Sequence, residues 1–130
     1  MSKFKDVFVI DDDKEFHFII KKLFSNNNIN INPSFYLNGL EAIKEIRQKI
    51  SNGVTMPDLI LLDINMPIMD GWQFLDEFRK TKQPTNGQTI IYLVSSSDSV
   101  SDLNKAKEYQ DQVKDYFFKP MSLDDLKKIF

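Results

Sequence analysis

The sequence predicts an α/β domain: a five-stranded parallel sheet covered on both faces by five helices. Two observations carry that reading. Val7-Phe8-Val9-Ile10, Leu59-Ile60-Leu61-Leu62 and Thr89-Ile90-Ile91-Tyr92-Leu93-Val94 are apolar without alternation, as strands are when both faces of the sheet are covered. Segments of helical period separate them, so strand and helix alternate along the chain, the order that builds parallel sheets.

The elements follow in order. The first strand, Val7 to Ile10, ends in Asp11, Asp12 and Asp13. Phe16, Ile19, Ile20, Leu23 and Phe24 then recur as the apolar stripe of an amphipathic helix. His17, the only histidine, lies beside that stripe and is expected to be solvated or partly packed. After a polar turn at Ser25 to Asn28, Ile29 to Leu37 reads as a weaker strand. Pro33 places it at a sheet edge, because proline cannot donate to the ladder. Asn38 with Glu41 caps a second helix whose stripe is Leu40, Ile43, Ile46 and Ile50, closed by Gly53. The strand Leu59 to Leu62 follows, bounded by Pro57 and by a turn region containing Asp63, Asn65, Met66, Pro67, Asp70 and Gly71. Trp72, Leu75 and Phe78 make the apolar side of a third helix. Gln83 to Gln88, with Pro84, Asn86 and Gly87, is a loop. The fourth strand ends in Ser95-Ser96-Ser97-Asp98, and Leu103 to Tyr109 is a polar, weakly amphipathic helix. Tyr116-Phe117-Phe118 is the last strand, ending in Lys119-Pro120. Ser122 with Asp125 caps a final short helix through Leu126 and Ile129.

Composition narrows the function. At 130 residues the chain suits a single domain, 1–130, with a full core. A formal charge of -2 with no basic stripe lacks the electrostatic term that drives direct nucleic-acid binding. With no cysteine there is neither a thiol nucleophile nor cysteine-ligated zinc. No secretory leader and no apolar run of membrane-spanning length is visible, so a cytoplasmic protein without membrane insertion is expected.

The chemistry gathers where strands end. Right-handed crossovers bring the carboxyl ends of parallel strands to one edge of the sheet, where open α/β sheets bind their ligands. Asp11, Asp12 and Asp13, then Asp63, Ser95 and Lys119 all fall at that edge. Each has a structural explanation singly, as a cap or turn residue. One acid suffices to cap the first helix, however, and packing three at one loop costs stability unless a cation neutralises them.

Asp11-Asp12, the segment LLDINMPIMDG around Asp63, Ser95 after the fourth strand and Lys119-Pro120 after the fifth resemble the receiver domain of two-component response regulators, a family that includes a single-domain chemotaxis regulator. Order and spacing agree from about Phe4 to Phe130. The resemblance implies a flavodoxin-like, doubly wound sheet with strand order 2-1-3-4-5. It implies that Asp63 accepts a phosphoryl group from a phosphohistidine of a sensor histidine kinase or histidine phosphotransfer protein, and that Asp12, Asp63 and the Asn65 backbone carbonyl bind Mg²⁺, with Asp11 helping through water. Lys119 would pair with the Asp63 carboxylate and then with phosphoryl oxygens. Ser95 and the backbone N–H of Ser96 would hold the phosphoryl group, Tyr116 would be the aromatic switch, and the Lys119-Pro120 bond would be cis. Phosphorylation would draw Ser95 inward and let Tyr116 follow, repacking the face of the fourth helix, fifth strand and fifth helix toward a downstream protein target. Asn65 and Ser97 occupy positions that tune dephosphorylation in the family, and Asp13, where the family varies, is assigned to capping.

The residues suit that chemistry. Phosphoryl transfer through a loose, in-line transition state needs positioning and charge neutralisation above all. An aspartate nucleophile gives an acyl phosphate that water can later hydrolyse. The expected protein is therefore a stand-alone signalling phosphoacceptor that promotes its own phosphorylation and dephosphorylation, not a conventional enzyme. Three other readings fit less well. A dehalogenase-like phosphatase uses a second aspartate two residues after the nucleophile, where this chain has Asn65. A flavin or dinucleotide binder needs a glycine-rich loop that is absent. A degenerate, phosphorylation-independent interaction module would not keep every site residue.

Overall fold

The computed structural model describes residues 4–81 and 89–130; the loop expected over Gln83 to Gln88 lies outside them. Five strands, β1 (Asp6–Ile10), β2 (Asn32–Tyr36), β3 (Leu59–Leu62), β4 (Ile90–Ser95) and β5 (Val113–Phe118), alternate with five helices. These are α1 (Lys14–Asn26), α2 (Gly39–Ser51), α3 (Gly71–Arg79), α4 (Val100–Glu108) and α5 (Leu123–Ile129). The sheet order is β2-β1-β3-β4-β5, every pair parallel. Pro33 lies on β2 at the sheet edge, as its missing donor requires.

Side chains alternate across the sheet and divide the core into two layers. Phe8, Ile10, Ile60, Leu62, Ile91 and Leu93 face a layer built with α2 and α3. Val7, Val9, Leu59, Leu61, Tyr92 and Val94 face a second layer built with α1 and α5. That double burial is why β1, β3 and β4 read as unbroken apolar runs. Leu59, Ile60 and Leu62 are fully excluded from solvent, so β3 is a fixed platform for whatever follows it.

Helix starts agree with their caps. Asp13 accepts from the Glu15 N–H at 3.0 Å and begins α1. Asn38 does the same for Glu41 before α2, and Ser122 with Asp125 forms a full capping box before α5. Asp70 and Gln73 form another before α3.

Four local expectations are corrected. In α1, Ile19 and Phe18 are exposed and His17 is buried, because the helix turns its Phe16, His17, Ile20 and Phe24 edge inward and sets the His17 ring against Phe35 of β2 at 5.0 Å. β2 begins at Asn32, three residues later than the apolar run at Ile29 suggests. Helix α4 begins at Val100, because Ser99 caps it by accepting from the Asp102 N–H. β5 begins at Val113, whose burial is masked in the sequence by the exposed Lys114 and Asp115 that follow it. Trp72, expected in packing, is buried and stacks on Tyr109 at 5.2 Å, joining α3 to the end of α4.

Candidate functional site at the carboxyl edge of the sheet

The register of the sheet assembles the site. Ile10 and Leu62 are paired across β1 and β3, so Asp11 and Asp63, one residue beyond each, emerge side by side. The Asp63 N–H still donates to the Ile10 carbonyl at 2.9 Å, and the Asp11 N–H to the Tyr36 carbonyl at 2.9 Å. Both carboxylates therefore start from backbone held by the ladder. Ser95 is the last residue of β4 and is paired with Phe118 of β5. The Lys119 N–H then donates to the Ser95 carbonyl at 3.0 Å, which turns the lysine back over the strand ends. The Lys119-Pro120 bond is cis, as the resemblance implies.

Gly71 explains why the turn after β3 ends in glycine. Its N–H donates to the Ile64 carbonyl at 2.8 Å, drawing the start of α3 against the strand end. A Cβ at this position would stand 2.4 Å from the Asp63 carbonyl oxygen and 3.0 Å from the Ile64 Cα. Both are backbone atoms that cannot swing aside. Gly71→Ala is expected to lower unfolding stability by about 1–3 kcal/mol, the usual cost of overpacking, and to disturb the Asp63 backbone. A denaturant melt beside phosphorylation kinetics checks both effects.

Within the site the carboxylates repel and the lysine offsets them. Asp11 and Asp63 are 1% and 5% exposed. Asp63 Oδ1 accepts the Ile64 N–H at 2.8 Å, and Asp11 Oδ1 accepts the Asp13 N–H at 2.9 Å. The Lys119 ammonium stands 2.7 Å from Asp11 Oδ2 and 3.7 Å from Asp63 Oδ2. The resemblance pairs this lysine with Asp63; here it sits closer to Asp11. The Asp11 contact is a close ion pair on a buried carboxylate oxygen.

Burial, reinforced by the Asp11 charge, pushes the Asp63 carboxyl up to about 7; Lys119, the Ile64 N–H and the Ser95 hydroxyl act in the opposite direction. Burial also raises the Asp11 carboxyl, against the opposing pull of Lys119 and the Asp13 N–H. A pair of carboxylates each unwilling to ionise beside the other is what a cation would relieve.

Asp12 completes the cluster. It is exposed, yet one ligand atom from each of Asp11, Asp12 and Asp63 lies within 4.8 Å of the others. Three carboxylate oxygens this close together, two on buried side chains and one on an exposed side chain, fit a hard divalent cation that takes only oxygen ligands. Among the described residues, no histidine or cysteine joins them.

The remaining predicted residues fall near the cluster or at its rim. Ser95 is fully buried, and its hydroxyl accepts the Ser97 N–H at 3.3 Å. Ser96 and Asn65 are exposed on the two loops that flank Asp63. Tyr116 is half-buried outside the cluster, its hydroxyl donating to the Ser97 carbonyl at 2.7 Å. Ser97 in turn donates to Asp102 Oδ2 at 2.6 Å, so the loop after β4 is tied to both β5 and α4. Two site neighbours are not evident from sequence. One is Phe16, whose ring lies beneath Lys119. The other is His17, which shares the Asp11 environment and whose pKa burial lowers.

Comparison with known proteins agrees with this geometry. A family profile described as the response regulator receiver domain matches residues 7–130. Among curated relatives, a probable methanogenesis regulatory protein, FilR2, from Methanothrix harundinacea is 25% identical over 122 residues, 94% of this chain and 76% of that protein. The sensor histidine kinase CheAY of Helicobacter pylori is 31% identical over 116 residues, 89% of this chain and 13% of the kinase. Among solved structures, a two-component response regulator from Cytophaga hutchinsonii superposes with a TM-score of 0.83 at 30% identity, over 98% of this chain and 95% of that one. A phosphorylated cyanobacterial phytochrome response regulator, RcpA, gives 0.75 at 29% identity, over 97% and 88%. The site and fold thus define a signalling phosphoacceptor of two-component systems. This chain belongs to the response regulator receiver domain family.

Proposed function

We propose that the protein is a phosphoacceptor response regulator in which Asp63 takes a phosphoryl group from the phosphohistidine of a sensor kinase or histidine phosphotransfer protein, in a Mg²⁺-dependent reaction. The observation that supports it best is the convergence of Asp11, Asp12, Asp63, Ser95 and Lys119, which approach the sheet edge from four strands. Relatives that include a histidine kinase and a phosphorylated regulator support the same reading.

The step itself is a displacement. An oxygen of the ionised Asp63 carboxylate forms the new P–O bond, the P–N bond of the phosphohistidine breaks, and the released imidazole nitrogen takes a proton. Asp63 Oδ1 is held by the Ile64 N–H, while Oδ2 lies on the side of Lys119. Lys119 meets the phosphoryl oxygens as a point charge, and the Ser95 hydroxyl and Ser96 N–H donate to them. Mg²⁺, held by Asp12, Asp63 and the Asn65 carbonyl with Asp11 through water, would supply charge neutralisation between the incoming phosphoryl group and the carboxylates. Phosphorylation then gives the Ser97 loop a new charge to answer. The Tyr116 tie to that loop is the link through which the α4, β5 and α5 face would repack for a downstream protein. We propose that residues 1–130 form a single receiver domain.

Intact-protein mass after incubation with acetyl phosphate tests this. We expect one phosphoryl adduct that forms with Mg²⁺ and not with EDTA, and borohydride reduction that marks residue 63. No adduct under either condition, or an adduct at another residue, overturns the assignment.

A further inference from the structure

We infer that Phe16 is a positioning residue for phosphoryl transfer, its ring face holding the Lys119 ammonium between Asp11 and Asp63; the inference rests on the phosphoacceptor reading above. The Lys119 ammonium lies 4.7 Å from the centroid of the Phe16 ring. Phe16 is 5% exposed in the first turn of α1, where the Asp13 cap fixes the start of the helix and the ring packs in the α1 and α5 layer of the core. The ring is therefore set by packing on its far side and presents its face to the cation.

An ammonium has three protons to place. In this site water is largely displaced, since the Lys119 side chain is only 15% exposed. On one side stands Asp11 at 2.7 Å, on another Asp63 at 3.7 Å, and on a third the ring. A ring face attracts a cation through its quadrupole without accepting a directional hydrogen bond. All three protons thus stay available for Asp11, Asp63 and an incoming phosphoryl oxygen. An aliphatic side chain would keep the same space dry but exert no pull, and the flexible lysine stem would let the ammonium settle wholly on Asp11.

Burial alone explains why residue 16 is apolar. It does not explain an aromatic face turned to a desolvated charge. The contacts of Lys21 with Phe35 and of Lys22 with Phe18 have similar spacing, 4.6 and 4.8 Å, but those lysines are exposed. Water competes there, and such contacts are worth a fraction of a desolvated one.

Fluorination of the ring separates electrostatics from packing. Singly, doubly and triply fluorinated phenylalanine at position 16 keep the volume nearly constant while draining the quadrupole. The initial rate of Mg²⁺-dependent phosphorylation by acetyl phosphate is expected to fall stepwise along the series. Phe16→Leu is expected to fall roughly three- to thirty-fold below wild type. A second readout needs no activity: in cation-free protein, the Lys119 ε-methylene protons are expected to be shifted upfield by the ring and to return in Phe16→Leu. A flat rate across the series with wild type active overturns the positioning role, and unshifted ε-protons overturn the contact. A wild type that takes no phosphoryl group removes the phosphoacceptor reading and this role with it.

Discussion

Asp63→Asn is expected to abolish phosphorylation and, in cation-free buffer at pH 8, to make the protein more stable than wild type. The first effect follows from losing the nucleophile. The second follows from the charge balance of the site, where Asp63 and Asp11 are both buried and, among the described residues, Lys119 alone lies between them. The Asp63 carboxyl ionises near 3.8 in a model peptide and near 7 in the fold. Between those values the folded state holds a proton that the unfolded chain has lost, so wild-type stability falls as the pH rises through that window. The penalty is complete above pH 7 and absent below about pH 4. The neutral amide escapes it. We expect a gain of roughly 2 kcal/mol at pH 8 that shrinks toward zero near pH 4, a value lowered because Asp11 shares the repulsion and relaxes when its neighbour is neutralised. Urea melts of both proteins across this range give the answer. A wild type that is the more stable of the two at pH 8 without cation would contradict the picture of a strained, cation-seeking pair. Millimolar Mg²⁺ should reverse the order, because a ligand that binds only the folded state stabilises it by mass action and Asp63→Asn removes one of its anionic oxygens.

Much of this site is legible in the sequence, for a physical reason. β1, β3 and β4 are buried on both faces, and full burial leaves an unmistakable run of apolar residues whose last member must be followed by the functional edge. Asp11, Asp63 and Ser95 are located by that rule before any partner is known. Local caps are legible too, since Asp13, Asn38 and Ser122 act on backbone two or three residues away. What sequence does not reveal depends on how helices rotate against the sheet. Nothing local distinguishes His17 from Ile19 as the buried member of α1; contact with Phe35 on the edge strand decides it. The choice between Asp11 and Asp63 as the nearer partner of Lys119, and the ring of Phe16 under that lysine, likewise require β5 and α1 to be docked in three dimensions. The start of α4 is lost for a different reason. That helix buries no residue fully, so its apolar pattern is faint and only the Ser99 cap marks it.

Lys119→Met should have the second large effect, and with the opposite sign on stability. Methionine keeps much of the stem but removes the ammonium from between two buried carboxylates, which stand 2.7 and 3.7 Å from it. Leaving a buried charge without its partner is costly, and on the scale of such losses we expect about 2–4 kcal/mol at pH 8 in cation-free buffer. Protonation sets the ceiling, because one carboxylate can take up a proton instead of remaining charged, so the loss should be smaller at pH 5 than at pH 8. The phosphorylation rate is expected to fall about 10²–10³-fold, the range for removing one preorganised group that answers developing charge. Lys114→Met, an exposed lysine on the same strand, is the control and should change stability by less than about 0.5 kcal/mol. The double variant Lys119→Met with Asp63→Asn closes the cycle: with one carboxylate neutral, much of the stability lost by Lys119→Met should return, whereas phosphorylation should not. If Lys119→Met melts with the Lys114→Met control, the lysine is a bystander to the carboxylate pair; if the double variant recovers nothing, its contribution lies in packing against Phe16 and Asp11 and not in holding Asp63.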